Sequence, residues 1–254
     1  MLNQKIQSVF SLFAAVIVLL LTGCAQVPPE KDDPRDPLQS MNRPIYDFNM
    51  DVLDAYVLRP AAVGYSKVTP QPVRNGLVNA TNNLDAPIDA TNSLLQGKVS
   101  NSGVSVARFL VNSTVGIFGI FDVASEIGLV EEPEDFGQTL GVWGAGDGPY
   151  LMFPAYGPST ARNISGDVMD AFVLPSISLG TPATIGKWVI KVLEARASLI
   201  PQEALLNESL DPYLFMKDIY LQRQLYELHD GNPPLPKVEK TEEESANDDF
   251  FENL

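Results

Sequence analysis

The chain has one cysteine, Cys24, and one histidine, His229. A two-histidine zinc site is therefore impossible, and no disulfide can form within the chain. Basic residues are scarce as well. Seventeen Lys and Arg stand against 32 Asp and Glu, for a net charge of −15. That balance excludes the positive face a phosphate backbone requires, and with it nucleic acid as a partner. It also disfavours simple electrostatic adhesion to anionic lipid headgroups. Catalytic patterns are missing too. Gly157-Pro158-Ser159-Thr160-Ala161 lacks the closing glycine of a nucleophile elbow, so Ser159 reads as a helix N-cap. Gly144-x-Gly146-x-Gly148 follows no predicted strand, as a phosphate loop would. Asp32-Asp33 and Glu131-Glu132 read as solvated surface charge. The residues call for no metal and no cofactor, and they do not make an enzyme.

Only one region is apolar and unbroken enough to suggest export. Lys5 precedes the run Val9–Leu21, which only Ser11 interrupts, and Leu21-Thr22-Gly23-Cys24 follows. A charged start, an apolar stretch and small residues at the cut site make a secretory signal. The run is shorter than the ~20 residues that cross a bilayer. A cysteine at the first mature position is the bacterial lipoprotein arrangement, with cleavage between Gly23 and Cys24 and lipid (palmitate among its acyl chains) on Cys24. Ala25, rather than an aspartate, follows, which points to the outer membrane of a Gram-negative cell.

The remaining chain divides by composition. Residues 1–23 are the signal peptide, and residues 24–35, with Pro28, Pro29 and Pro34, read as a lipidated tether. Residues 36–232 form the folded body. Residues 233–254 form an acidic tail, too polar to offset the entropy of ordering. Within the body the apolar spacing is helical: Ile45, Phe48, Val52, Leu53 and Tyr56 share one face, and Ile185, Trp188, Val189, Val192, Leu193, Leu199 and Ile200 another. Asp36-Pro37 and Asp211-Pro212 are helix starts, the first with Gln39 in the capping-box position and the second ending near Gly231. Pro44 shortens or restarts the first helix. Shorter helices fit 73–84, 87–95 and 159–172, and strand-like alternation is scarce. The fold class is all-α.

Two stretches depart from a soluble pattern. Residues 104–121 are apolar nearly all round, with Arg108 their only charge. Such a helix lies either in a core or against lipid, and the residues alone favour the core. Residues 136–157 hold six glycines with Val142, Trp143, Tyr150, Leu151, Met152, Phe153 and Tyr156 between them. Glycines at that density permit a loop to move. The aromatics either line a lipid path or pin the loop to the core.

An ordered set of motifs resembles the VacJ/MlaA lipoprotein family. It begins with Asp36-Pro37-Leu38, Asn42-Arg43 and Phe48-Asn49, and continues through Pro70–Gly76, Leu95-Gln96-Gly97 and Arg108–Asn112. It is densest at Phe136–Gly141 and Gly148-Pro149-Tyr150, and ends with Gly186-Lys187-Trp188, Glu194–Ala197 and Asp211-Pro212-Tyr213. Gln39 stands where the family usually has glutamate.

The resemblance implies a ring-like helical protein embedded in the inner leaflet of the outer membrane around an amphipathic channel. It further implies partners: phospholipid, a trimeric outer-membrane porin, and a periplasmic lipid carrier of an ABC transport system. The implied task is removal of mislocalised phospholipid from the outer leaflet, which maintains lipid asymmetry. Under this resemblance residues 104–121 move from core to lipid contact. Gly141, Trp143, Gly144, Gly146, Gly148 and Tyr150 become candidate residues of a movable channel-side hairpin. Asn42, Arg43 and Asn49 become candidates for bracing the first helix or for polar pore contacts. Two alternatives remain at this stage: a porin-bound envelope scaffold without lipid transport, and a phospholipid hydrolase using Ser159 and His229.

Overall fold

The computed structural model describes residues 33–130, 132–172 and 180–234. The signal peptide, Cys24, Glu131 and nearly all of the acidic tail lie outside the described residues. Helices dominate, in the order α1 (Gln39–Asp47), a π-helical stretch (Phe48–Leu58), α2 (Arg59–Val68), α3 (Gln71–Leu95), α4 (Val99–Thr114) and the short α5 (Val123–Glu126). Then come α6 (Phe136–Val142), β1 (Tyr150–Phe153), β2 (Gly157–Thr160), α7 (Ala161–Phe172), α8 (Thr181–Leu199), a 3-10 turn, α9 (Glu203–Asn207) and α10 (Pro212–Leu228). No helix among the described residues is long and apolar enough to cross a membrane.

The all-helical expectation needs one amendment. Residues 150–160 form an antiparallel hairpin, with Tyr150 opposite Thr160 and Phe153 opposite Gly157. Ser159 therefore lies in β2, and Thr160 caps α7 instead, its Oγ1 accepting from Asn163 N at 3.2 Å. Two predicted pieces, 73–84 and 87–95, are one helix of 25 residues that carries Pro87 inside it. A proline removes only its own N–H from the ladder, and the long packing of α3 on α4 holds the helix through that gap.

The first helix also continues past its proline. Pro44 lies within α1, which passes directly into the π-helical stretch and then α2. A π register changes which residues share a face. The predicted stripe is accordingly not buried: Phe48, Val52 and Tyr56 are exposed, while Asp54 is buried. Asp36 is not the N-cap of α1, since Leu38 holds that position. The Asp36 carboxylate turns inward to Asn42 and Tyr213. Gln39, placed in a capping box by the sequence, presents its amide oxygen to the Arg43 guanidinium instead. Asp211 does cap α10, accepting from Leu214 N at 3.1 Å.

The conventional core is a cluster of Tyr46, Tyr150, Met152 and Tyr213, with Ile45, Met50, Leu214 and Tyr220 against it. Tyr213 stands edge-on to Tyr46 and Tyr150 at 5.5 and 6.2 Å between centroids. This cluster ties α1, the hairpin and α10 together. The described chain also begins inside it rather than in a tether. Tyr150 N donates to Arg35 O, and Lys217, 2% exposed, pairs with Asp33 and Asp36. Asp33 is thus a fastened residue and not solvated charge; hydrogen bonds from Arg35 and Lys217 hold its carboxyl far below the usual carboxylate range.

Candidate functional site

Helix α4 shows the arrangement from which the site is built. Ser105, Arg108 and Asn112, at steps of three and four, are its buried residues. Val99, Val106 and Leu110 (57%) are exposed. Arg108 donates to both Asp122 oxygens at 3.2 and 3.1 Å, to Ser125 Oγ, and to Leu129 O. Asn112 donates to Asp122 and accepts from Ala124 N, both at 2.9 Å. The charge that looked isolated in residues 104–121 is therefore the inner anchor of the helix. The apolar-all-round reading fails on that face, and the stretch ceases to be helical at Thr114.

Helix α8 repeats the inversion. Ile185, Trp188 (54%), Val189 and Leu199 are exposed. Three of its charges turn inward, Lys187 to Asp85, Glu194 to Arg74 and Arg196 to Asp54, while the exposed Lys191 also reaches Asp85. A helix at a water-facing surface does the reverse, with its apolar stripe toward the core. Between α3 and α4 lies a cavity of about 20 Å³ lined by Asn79, Asn82, Asn83, Asn112 and the Arg108–Asp122 pair. The interior on this side is polar and its exterior apolar.

The hairpin hangs on this frame through the residues singled out in the sequence. Asn42 donates to Asp36 at 2.8 Å and to Tyr150 O at 3.0 Å, and accepts from Met152 N at 2.9 Å. Seven residues on, Asn49 donates to Phe153 O at 2.8 Å and accepts from Ala155 N at 2.9 Å. Each carboxamide acts as a neighbouring strand would, offering one donor and one acceptor to the backbone. Arg43 forks onto Asp211 at 3.2 and 2.6 Å and covers the Tyr213 ring at 4.6 Å. Each of the three thus holds contacts between α1 or the π-helical stretch and the hairpin or α10.

The glycine-rich segment is partly fixed and partly open. Asp135 caps α6 through Gln138 N at 2.7 Å. A Cβ on Gly141 would meet Leu228 Cδ1 at 2.6 Å and Arg162 Nη1 at 2.9 Å, so a larger residue there requires those side-chain ends to shift. Trp143 is exposed, yet its Nε1 donates to Leu95 O at 3.1 Å. Gly144 (φ +96°) adopts a left-handed backbone and has nothing within contact distance of its Cβ direction; Gly146 is equally open. The segment closes again at Asp147, which pairs with Arg162 at 2.8 Å, and at Gly148 (φ +68°), tight against Ala161. Tyr150 corrects the sequence grouping. It is 0% exposed in the tyrosine core and lines no outer path, and burial pushes its hydroxyl pKa up.

Ser159 and His229 are not brought together. Ser159 is buried with its hydroxyl on Thr160 O, whereas His229 is exposed at the end of α10. Sequence reasoning gave Asp36 only a helix-start role and missed Lys217 and Asp122, charged residues whose partners lie far off in the chain or across a turn. Among the described residues no cluster of three or more His, Cys, Asp or Glu is arranged to hold a metal.

Comparison with known proteins places this architecture. The family model described as MlaA lipoprotein matches residues 34–227. The intermembrane phospholipid transport system lipoprotein MlaA of Escherichia coli (strain K12) is 41% identical over 210 residues, covering 80% of this chain and 82% of its own. Its counterpart in Haemophilus influenzae is 34% identical over 227 residues, 87% of this chain and 90% of its own. A solved structure described as "Structural basis for maintenance of bacterial outer membrane lipid asymmetry" superposes with a TM-score of 0.72 at 41% identity, over 76% of this chain and 98% of that one.

Proposed function

The chain belongs to the MlaA lipoprotein family, and from that premise we propose that it removes mislocalised phospholipids from the outer leaflet of the outer membrane. It passes them to a periplasmic lipid carrier of an ABC transport system and so maintains lipid asymmetry. In this reading Cys24, freed by cleavage after Gly23, carries the lipid anchor. The helices form a ring in the inner leaflet beside a trimeric porin. The chain works by lowering a barrier and carries out no covalent chemistry.

The observation that supports this reading is the inverted pattern of α4 and α8, with apolar residues outside and ion pairs inside. Exposed apolar surface on that scale is a liability in water and a match for hydrocarbon. A phospholipid changing leaflets must carry a charged headgroup through an apolar layer, where an unsatisfied charge is very costly. An interior lined by amides and ion pairs gives the headgroup polar company, while the acyl tails stay in the surrounding lipid. The open glycines 144 and 146 leave the segment between Trp143 and Asp147 free to move beside that path. A passive channel equilibrates, so direction comes from the carrier system.

The test is the amount of phospholipid exposed on the cell surface. Deletion raises it, and the intact gene restores it. A variant with residues 136–157 blocked, for instance by a bulky side chain at the open Gly146, does not. Unchanged surface phospholipid on deletion overturns the reading.

A further inference from the structure

A second cleft, of about 240 Å³, opens between the first turns of α4 and the segment that follows α5. Ser100, Asn101 and Ser105 line it from the helix, and Leu129, Val130 and Glu132 from the segment. Its wall is held from behind, because Arg108 donates to Leu129 O. Asn101 Nδ2 donates to Glu132 Oε2 and so fixes that exposed carboxylate beside the helix.

Two observations in this cleft point to a ligand. Ser105 lines it and is only 6% exposed, yet its hydroxyl has no hydrogen-bond partner among the described residues. A buried hydroxyl is costly unless something satisfies it. The first turn of α4 is open as well. Lys98, at its N-cap, makes no side-chain cap, and the N–H groups of Ser100 and Asn101 have no acceptor among the described residues. Such groups, with the helix dipole behind them, receive phosphate.

Charge decides which phosphate. Glu132 repels a bare anion from the same cleft. Arg108, the one charge on α4, is paired with Asp122, and Lys98 is paired with Glu134 and Asp230. A zwitterion satisfies both ends, its phosphate on the open N–H groups and its ammonium on Glu132. Asn101 and Ser105 stand four apart on one helix face, so the Ser105 hydroxyl is placed to donate to an ester oxygen of the same group. Val99, Ile127 and Val130, which line or adjoin the cleft, are exposed apolar residues. They leave an apolar exit for acyl chains.

We propose that this cleft is a headgroup subsite for phosphoethanolamine, the zwitterion carried by phosphatidylethanolamine. The proposal rests on the transport reading above and names the headgroup that the protein takes.

The experiment uses the full-length lipidated protein in detergent. It is titrated calorimetrically with dihexanoyl phosphatidylethanolamine, phosphatidylcholine and phosphatidylglycerol, and with free phosphoethanolamine. The ethanolamine lipid is expected to bind tightest, because choline offers no N–H donor and glycerol no cation. Glu132→Gln changes an exposed residue and is expected to weaken that lipid about tenfold, the loss of one charge-assisted hydrogen bond. Binding of the glycerol lipid should hold or improve. Ser105→Ala is expected to lower affinity for the ethanolamine lipid while the thermal midpoint of the unliganded protein holds, since the hydroxyl has no partner to lose. Equal binding of all the lipids, indifferent to both substitutions, overturns the subsite and leaves the transport reading standing. Free phosphoethanolamine binding as tightly as the lipid overturns the lipid as its source. Binding of none of these ligands also overturns the subsite, and the transport reading falls with it only if deletion leaves surface phospholipid unchanged.

Discussion

The tyrosine junction and the α4/α8 side of this molecule solve opposite problems with the same residue types. At the junction, Tyr46, Tyr150 and Tyr213 are inside around one buried pair, Lys217 and Asp36, while the charges of Arg35 and Asp218 are outside. Across α4 and α8, leucine, isoleucine and tryptophan are outside and arginine, lysine and aspartate are paired inside. One chain cannot be at ease with both patterns in a single solvent. The hydrophobic effect drives apolar area away from water, so the junction is the part built for water and the inverted side the part built for lipid. Asn42 and Asn49 hang the hairpin on the junction, while the Trp143 bond to Leu95 O ties the glycine-rich segment to the end of α3.

The comparison breaks most visibly if an inner charge of the inverted side is removed. Arg108→Leu leaves Asp122 without its main cation and Leu129 O without a donor. Removing one partner of a buried pair costs about 3–5 kcal/mol; with Asp122 a quarter exposed and still bonded by Asn112 and Ser125, the lower end is expected, read as a fall in thermal midpoint in detergent. Val106→Ser, on the outer face of the same helix, is expected to change stability by less than about 0.5 kcal/mol and to weaken vesicle binding instead. Equal effects on both readouts would erase the distinction between the faces.

The matching cut on the junction is Asn42→Leu. It strands Tyr150 O, Met152 N and an Asp36 oxygen in a buried site. With an unsatisfied buried group costing about 1–3 kcal/mol, loss of about 3 kcal/mol is expected, together with faster amide exchange throughout 150–160. Asn49→Leu, which strands two groups and is less buried, should cost about half as much by the same reckoning.

Acid sharpens the contrast further. Asp33 has a folded pKa well below its usual 3.8, chiefly because Arg35 and then Lys217 donate to it. A depressed carboxylate contributes stability that is present above its unfolded pKa and lost as pH falls toward its folded one. The start of the body should therefore loosen progressively as pH falls below about 5, with most of the loss below the unfolded pKa, seen as acid-protease cleavage near residue 33. Asp33→Asn should remove that pH dependence, with cleavage similar across the whole range.

What the residues disclosed in advance follows from how local each signal is. Asp211-Pro212 announced α10 because cap and proline act within one turn. The pieces 73–84 and 87–95 merged because packing against α4 outweighs one missing hydrogen bond, and packing is not written at Pro87. The stripe Phe48–Tyr56 was read on an α period and emerged in a π register, so its faces moved. The inversion itself was the hardest to see. Period analysis finds an amphipathic face but not which solvent it meets, and only Arg108 in an apolar run hinted at it. Asn42 and Asn49 were legible as important and ambiguous in role. Their partners lie on the hairpin more than 100 residues away, beyond the reach of any local signal.

The smallest expected effect concerns the glycine-rich segment. Trp143→Phe keeps the ring that stands edge-on to Phe136 at 5.8 Å and removes only the hydrogen bond to Leu95 O. A single exposed bond of this kind is worth about 0.5–1.5 kcal/mol, too little to unfold either region. That bond is the tie between the open glycines and the end of α3, so its loss should appear locally, as faster hydrogen exchange in 143–147 with no change at Tyr150 or in α4. Exchange that instead rises across the tyrosine junction would mean that segment and junction move as one body. The glycines at 144 and 146 would then be a passive linker.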